Sequence, residues 1–160
     1  MMETCNKELV QKLKEKGFHI STAESCTGGM VAASIVDVPG ASDVFEEGYI
    51  TYSNRVKEKL LSVLSETIEK YTVVSSQAAK EMAAGTQERT GSELTVSVTG
   101  YAGPGDAEDG TKAGTVYIGT CFNGEARAKG FLFEGDRKQV RRQAAEEAVR
   151  FALERITEGE

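Results

Sequence analysis

The chain has 160 residues, of which 39% are hydrophobic and 28% are charged, and its formal net charge is −6. This length and composition are typical of one soluble domain that buries a core, so we expect a single domain over residues 1–160. The net negative charge argues against nucleic acid and against an anionic membrane as partners, and no apolar run approaches the roughly 20 residues of a membrane span.

The N-terminal residues and the cysteines restrict the compartment and the chemistry. MMETCNKELV lacks the basic and then apolar segments of a signal peptide, so we expect a cytoplasmic protein. Cys5, Cys26 and Cys121 form no C-x-x-C pair, which indicates reduced thiols and no zinc site. The one histidine, His19, lies in an apparent strand. A nucleophilic hydroxyl in this chain is therefore expected to use a different base.

Hydrophobic periodicity and turn signals predict alternating helices and strands. Predicted helices cover residues 3–16, 27–36, 54–62, 65–70, 75–89 and 137–157, and predicted strands cover 18–22, 44–52, 94–98, 114–122 and 125–133. The last two strands form a hairpin that turns at Asn123-Gly124. Ser75 is the predicted cap of the fifth helix, and Asp136 with Gln139 has capping-box spacing. This order indicates a layered α/β domain with a mixed sheet.

The segment TAESCTGG, residues 22–29, stands between a predicted strand and a predicted helix. Its paired glycines allow a tight turn, and the helix start supplies unpaired amide N–H groups and the positive end of the helix dipole. Such a place holds an anion or a developing oxyanion. Ser25 and Cys26 are the two candidate nucleophiles. The alternative is that Ser25 or Thr27 only caps the helix.

The segment YSNRVK, residues 52–57, carries the candidate base. Asn54 is a good N-cap, which would put Lys57 in the first helical turn, where the dipole disfavours its charged form. Shielding from water would lower its pKa from about 10.4 toward 7, at a cost of roughly 4 kcal/mol. A neutral lysine can take the proton of a serine hydroxyl, and Tyr52 can relay or donate a proton nearby. The alternative is a solvated surface lysine.

The glycine-rich loop predicted at residues 99–114 is a candidate ligand site. Gly100, Gly103 and Gly105 would let loop amides approach a ligand closely. The acidic run DAEDG within the loop lacks the ligand spacing and terminal Glu of an EF-hand, so we predict no metal.

Four cations crowd the start of the last predicted helix, within GDRKQVRR. Each is disfavoured there by about 0.3–1 kcal/mol. Arg142 can pair with Glu146 four residues on, and a solvated basic face accounts for Arg142 and Lys138. Arg137 and Arg141 share one face and lack an intrahelical acid. We therefore predict that these two arginines form a phosphate clamp, in which both guanidinium groups bind one phosphate.

The segments TAESCTGG, TYSN followed by Lys57, TGYAGPG, GTVYIG and GDRKQVRRQAA occur in one characteristic order. In this the chain resembles the CinA C-terminal domain family, the nicotinamide-nucleotide amidohydrolases (NMN deamidases, also called PncC), from about residue 22 to residue 145. The resemblance implies an α/β/α fold and hydrolysis of the carboxamide of nicotinamide mononucleotide (NMN) to nicotinate mononucleotide and ammonia. It implies no cofactor and a homo-oligomer, for which we expect a dimer. Larger members carry an additional N-terminal nucleotide-pyrophosphatase domain, and we expect the stand-alone form here.

The resemblance also implies roles for residues. Ser25 is the nucleophile and Lys57 the base of a Ser–Lys mechanism with an acyl-enzyme intermediate, Tyr52 lies in the same site, and Arg137 and Arg141 lie near the nucleotide. Cys26 is then a buried neighbour. Tyr52 would protonate the leaving nitrogen so that it departs as ammonia, while turn amides would stabilise the oxyanion and loop amides would help to hold the phosphate. We assign substrate binding also to Thr27, Gly28, Gly29, Asn54, Thr99, Gly100 and Gly103.

Two departures from the family pattern lie in the loop. Tyr101 stands where S/T-G-I-A-G-P has isoleucine, and Thr111-Lys112-Ala113-Gly114 replaces K-P-x-G without its proline. Both can alter loop rigidity or substrate preference. The alternatives that stay open are hydrolysis of another nucleotide amide, a hydrolase based on Cys26, and a catalytically silent nucleotide-binding module.

Overall fold

The computed structural model describes residues 2–158 and 160, so Met1 and Gly159 of the predicted domain lie outside the described residues. Its five strands form one mixed sheet in the order β2-β1-β3-β4-β5. The strands are β1 (Ile20–Glu24), β2 (Phe45–Ile50), β3 (Leu94–Tyr101), β4 (Thr115–Phe122) and β5 (Glu125–Leu132). β1 pairs in parallel with β2 and β3, whereas β4 runs antiparallel to β3 and β5. The predicted hairpin is confirmed, with Asn123 and Gly124 both at positive φ.

Helices cover both faces of the sheet. They are α1 (Met2–Lys16), α2 (Met30–Val36), α3 (Asn54–Leu61), α4 (Ser65–Tyr71), α5 (Ser76–Thr90) and α6 (Arg137–Thr157), with a 3₁₀ turn at Ala41–Asp43. α1 and α2 pack beside α6 on one face, and α3 and α4 pack beside α5 on the other. The predicted α/β/α fold with a mixed sheet is confirmed. No helix of the described residues combines the length and apolarity needed to cross a membrane.

Several predicted boundaries shift for local reasons. The helix predicted at 27–36 begins only at Met30, because Gly28 and Gly29, with φ of +57° and +108°, extend the turn. The strand predicted to end at residue 98 continues to Tyr101, because pairing with β4 carries the ladder on to Thr115. The caps predicted at Ser75 and at Asp136 with Gln139 are confirmed.

α5 lies unusually close to the sheet. Three hydroxyl groups on one face of β3 donate hydrogen bonds of 2.6–2.7 Å to backbone carbonyls of α5 and of the segment before it: Thr95 to Ala83, Ser97 to Ala79 and Thr99 to Val73. Glycines permit this approach, since a Cβ on Gly119 of β4 would lie 2.2 Å from the carbonyl oxygen of Ala79. Polar side chains therefore replace bulky apolar ones between these two layers.

Gly85 brings α3 against α5 in the same way. A Cβ at this position would lie 1.8 Å from the carbonyl oxygen of Leu61, the last residue of α3. Because this neighbour is backbone, it cannot move aside without displacing α3. The close packing fixes α3 relative to the strands, and α3 begins at the edge of the sheet where the parallel strands β1 and β3 end.

We predict that Gly85→Ala destabilises the protein by about 1–3 kcal/mol, the usual cost of overpacking. The sign of the stability change is informative, because a Gly→Ala change inside an ordinary helix stabilises the helix by about 1 kcal/mol. Urea denaturation measures the difference. Ala84→Gly, at the neighbouring exposed position of α5, is the control and should show only the loss of about 1 kcal/mol in helix propensity. A stabilised Gly85→Ala variant would contradict the packing argument.

Candidate active site

Ser25 follows directly after β1, at the carboxyl end of a strand that lies between two parallel neighbours. This edge of an α/β sheet is where such folds bind ligands. The Ser25 amide donates to the carbonyl oxygen of Val98 at 3.0 Å, which ties the residue to β3. Its side chain is mostly buried, with 7% exposed. The sheet thus holds the hydroxyl-bearing residue at a defined place on its edge.

Lys57 reaches the same place from α3. Its Nζ lies 3.2 Å from Ser25 Oγ and donates to the carbonyl oxygen of Tyr52 at 3.0 Å. Only 1% of Lys57 is exposed. Ser53, whose hydroxyl accepts from the amide of Val56, is the N-cap of α3, so the prediction of Asn54 as the cap was wrong by one residue. Both residue types cap well, and the extended backbone of Ser53 takes this position.

The environment of Lys57 favours its neutral form. Burial lowers the pKa of Lys57 from 10.5 to about 8. Among the residues that the structure describes, Lys57 forms no ion pair with Asp or Glu, so no carboxylate holds its proton. About one tenth of the molecules then carry a neutral amine at pH 7. This amine is in hydrogen-bonding contact with the Ser25 hydroxyl, which is the geometry a general base requires.

Cys26, the other candidate nucleophile, is in a poorer environment. It is buried, and burial raises the pKa of its thiol to about 11, even though Arg141, Arg137 and Lys57 act in the opposite direction. The reactive thiolate is therefore scarce at neutral pH. Lys57 Nζ contacts the Ser25 oxygen, whereas Cys26 has no such hydrogen bond with a base among the described residues. The geometry favours Ser25.

In the turn of residues 25–29, some amides donate to carbonyl oxygens within the turn, and others have no acceptor among the described residues. Gly28 N–H donates to the Ser25 carbonyl oxygen at 3.1 Å, and Met30 N–H donates to that of Thr27 at 3.1 Å. No such acceptor occurs for the amides of Thr27 and Gly29 anywhere in residues 2–158 and 160. Of the amides predicted around residues 27–29, that of Gly28 is thus already engaged and that of Thr27 belongs to a fully buried residue, whereas Gly29 is partly exposed and its amide can face an oxyanion.

Glu24 is a functional position that the sequence analysis missed. It is fully buried, and its carboxylate accepts hydrogen bonds from the Thr27 hydroxyl at 2.6 Å and from the amides of Val31 and Ala32 at 2.9 and 3.0 Å. It therefore caps α2 and holds the Thr27 side chain away from any substrate. The available signal was a carboxylate just before a predicted helix start, where the dipole favours negative charge.

The two arginines of the predicted phosphate clamp have different partners. Arg141 donates to the carbonyl oxygens of Cys26 and Thr27 at 2.8 and 3.2 Å. Arg137 donates to the carbonyl oxygen of Gly103 at 2.6 Å and to the Tyr52 hydroxyl at 3.2 Å. Within the described part of the chain, neither arginine forms an ion pair. All these partners are uncharged, so both arginines retain an uncompensated positive charge beside the Ser25–Lys57 pair.

Tyr52 contacts the dyad of Ser25 and Lys57 through its backbone. Its carbonyl oxygen accepts from Lys57, while its hydroxyl accepts from Arg137 and its side chain is 60% exposed. Ser25 Oγ lies 3.5 Å from the same carbonyl oxygen. The hydroxyl therefore lies at the rim of the site, where it is bound to an arginine.

Other predicted binding residues lie apart from the dyad or are used by the fold. Thr99 and Gly100 belong to β3, so the predicted loop shortens to residues 102–114. The Thr99 hydroxyl is bound to Val73, and a Cβ on Gly100 would lie 2.7 Å from a Val116 methyl group. Asn54 is exposed at the start of α3. Gly103 accepts a hydrogen bond from Arg137 through its carbonyl oxygen. Arg142 and Glu146 do not form the expected ion pair in the structure as described.

Comparisons with known proteins agree with this fold and these motifs. A CinA-like protein of Kosmotoga olearia is 44% identical over 149 residues, which are 93% of this chain and 36% of that protein. A Clostridium perfringens protein whose name describes it as competence-damage inducible is 46% identical over 140 residues, 87% of this chain and 34% of that protein. The chain therefore spans about a third of the length of these curated relatives.

Solved structures match over nearly their whole length. The competence damage-inducible protein A of Klebsiella pneumoniae has a TM-score of 0.95 at 32% identity, with 99% of each chain covered. A CinA superfamily protein of Escherichia coli has a TM-score of 0.87 at 35% identity, covering 98% of this chain and 88% of that one. The family model of the CinA C-terminal domain matches residues 2–156. The chain belongs to the CinA C-terminal domain family.

Proposed function

We propose that the protein hydrolyses the carboxamide of NMN to nicotinate mononucleotide and ammonia through an acyl-enzyme intermediate on Ser25. The observation that carries the proposal is the 3.2 Å contact between Lys57 Nζ and Ser25 Oγ. A buried lysine with a pKa of about 8 and no acidic partner among the described residues is costly for stability, so a role in proton transfer accounts for its presence. The choice of a nicotinamide nucleotide rests on the motif resemblance and on family membership.

In the first step, neutral Lys57 takes the Ser25 proton while Oγ forms a bond to the carboxamide carbon. One N–H of the amine can keep its bond to the Tyr52 carbonyl oxygen, which turns the nitrogen lone pair toward Ser25. The carbonyl oxygen of the substrate becomes an oxyanion. The amide of Gly29, which is partly exposed and has no acceptor among the described residues, is its proposed donor.

In the following steps, Lys57 returns the proton to the leaving nitrogen, the C–N bond breaks and ammonia departs. Neutral Lys57 then takes a proton from water as the water attacks the ester carbon, and returns it to Ser25 Oγ as the acyl bond breaks. We assign these transfers to Lys57 in place of the Tyr52 hydroxyl, because that hydroxyl is bound to Arg137 at the rim.

The charge around the site supports an anionic substrate. The protein carries a net charge of −6, yet Arg137 and Arg141 stand beside the dyad without an acidic partner among the described residues. Arg137 is exposed and its hydrogen-bond partners among the described residues are neutral, so a phosphate can displace them because it adds full opposite charge and bidentate geometry. We therefore propose Arg137 as the residue that binds the 5′-phosphate.

We predict that Ser25→Ala abolishes ammonia release from NMN, with a loss of at least about 10³-fold, while Cys26→Ala keeps activity within a few-fold. Ammonia is measured from NMN, from nicotinamide riboside and from nicotinamide, at equal concentrations. NMN should be the best substrate, because only NMN carries the phosphate.

Loss of activity in Cys26→Ala alone would make the thiol the nucleophile. Tight binding of NMN in calorimetry, without turnover of any of the three amides at high enzyme concentration, would identify a silent binding module instead.

We predict that kcat/KM for NMN rises about tenfold per pH unit and levels off above pH 8, because Lys57 must lose its proton to act as a base. Cys26→Ala is the control. It should keep the same inflection, because a thiol with a pKa of about 11 stays neutral over this range. A profile that is flat between pH 6.5 and 9.5 would exclude Lys57 as the base.

We predict that Lys57→Met is inactive and yet more stable than wild type at pH 7, by about 3 kcal/mol. A pKa lowered from 10.5 to about 8 on folding corresponds to a penalty of this size. Between pH 8 and 10.5 the unfolded lysine is charged while the folded one is neutral, so wild type gains stability as the pH rises. Urea denaturation at pH 7 and pH 10 should show the difference shrinking. Lys59→Met, at an exposed position of the same helix, should show neither effect.

A further inference from the structure

Arg141 makes a two-point contact with the turn that carries the nucleophile. Its Nε donates to the carbonyl oxygen of Cys26 at 2.8 Å, and its second amino group donates to that of Thr27 at 3.2 Å. These two carbonyls are consecutive, and they immediately follow Ser25. The contact joins α6 to the edge of the sheet across more than one hundred residues of chain.

Holding these carbonyls also orients the amides on the same peptide planes. In a planar trans peptide the C=O and the next N–H point in opposite directions. Arg141 bound to the Cys26 carbonyl oxygen therefore turns the Thr27 N–H away from α6. Its bond to the Thr27 carbonyl oxygen orients the Gly28 N–H, which donates to the Ser25 carbonyl oxygen at 3.1 Å. The guanidinium thus fixes two successive peptide planes beside the nucleophile.

Other contacts show that the turn is held for this arrangement. Glu24 binds the Thr27 hydroxyl from the α2 side, so Thr27 is held at both its side chain and its carbonyl. A Cβ on Gly28 would lie 3.4 Å from the Arg141 amino group, which leaves little space between them. Arginine suits the role, because its planar fork reaches two acceptors at once, whereas the ammonium of lysine is a point donor.

We propose that Arg141 is a positioning residue that fixes the turn carrying Ser25 and the oxyanion-stabilising amide of Gly29, and that it is not a ligand of the substrate phosphate. The inference rests on the proposed function, because it assigns the oxyanion to an amide of that turn. Two of the donor nitrogens of Arg141 are already occupied by the turn, while Arg137 at the rim holds neutral groups that a phosphate can replace.

The kinetic test compares Arg141→Lys and Arg141→Ala with Arg142→Gln, a change at the next, exposed residue. Both Arg141 variants should lose about 10²-fold in kcat, the cost of a misplaced reacting group, with KM for NMN changed less than about threefold. The loss should be equal for NMN and for nicotinamide riboside, because the phosphate is not involved. Millimolar guanidine should restore part of the kcat of Arg141→Ala. Arg142→Gln should match wild type.

A second measurement does not depend on the substrate. A small fluorophosphonate labels an activated serine: a bond forms between Ser25 Oγ and phosphorus, the P–F bond breaks, the serine proton passes to Lys57, and fluoride leaves. The developing charge on the P=O oxygen needs the same amide as the carboxamide oxyanion. Intact mass against time should therefore show labelling slowed by a similar 10²-fold in both Arg141 variants, and unchanged in Arg142→Gln.

The outcomes separate this inference from the proposed function. Wild-type protein that is labelled at Ser25 but hydrolyses no amide would disprove the proposed substrate, while slower labelling of the Arg141 variants would still support the positioning role. A tenfold rise in KM for NMN alone, with nicotinamide riboside unaffected, would make Arg141 a phosphate ligand. Unchanged labelling, or loss of folding in both Arg141 variants, would also overturn the proposal.

Discussion

A buried amine that has no acidic partner in the described part of the chain is the feature on which the site depends. Lys57 is almost completely enclosed, and its hydrogen-bond partners are the Ser25 hydroxyl and the Tyr52 carbonyl oxygen. A carboxylate in contact with it would stabilise the ammonium and remove the base from the physiological pH range. The protein contains 25 acidic residues, yet none forms an ion pair with Lys57 within residues 2–158 and 160. The hydrogen-bond acceptors of the amine are therefore neutral, and they do not stabilise its protonated form as a carboxylate would.

The charged side chains next to the Ser25–Lys57 dyad bind the backbone around the turn instead of Lys57. Glu24 binds amides at the start of α2, and Arg141 binds the two carbonyls that follow the nucleophile. Each charged group thus meets the backbone dipole of opposite sign. Neither group bonds to Lys57 in the described part of the chain, where the partly exposed amide of Gly29 also has no acceptor. The arrangement suits a site that must stabilise charge appearing only during a reaction.

The distance between Lys57 and Ser25 is a consequence of packing far from either residue. Ser25 is tied to the sheet through Val98, whereas Lys57 sits on α3, whose last residue touches Gly85 of α5. α5 in turn lies close to β3 because hydroxyl groups and glycines separate them. Small residues between the layers therefore define where the amine stands. A dyad that works over 3.2 Å needs this rigid support, because a 1 Å error can cost 10²-fold in rate.

Local patterns in the sequence were sufficient for the helices, the hairpin at Asn123-Gly124, the caps at Ser75 and Asp136 and the glycine turn, because the energies of these features come from residues a few positions apart. The motifs also named Ser25 and Lys57, which the fold brings into contact. The partners of Arg141 and Thr99 were not predicted, nor was the extension of β3 to Tyr101. These features depend on groups that are distant in sequence or on pairing with another strand. From the sequence, Arg141 is interpreted as a free cation. Only the folded structure shows that the Cys26 and Thr27 carbonyl oxygens lie beside its guanidinium.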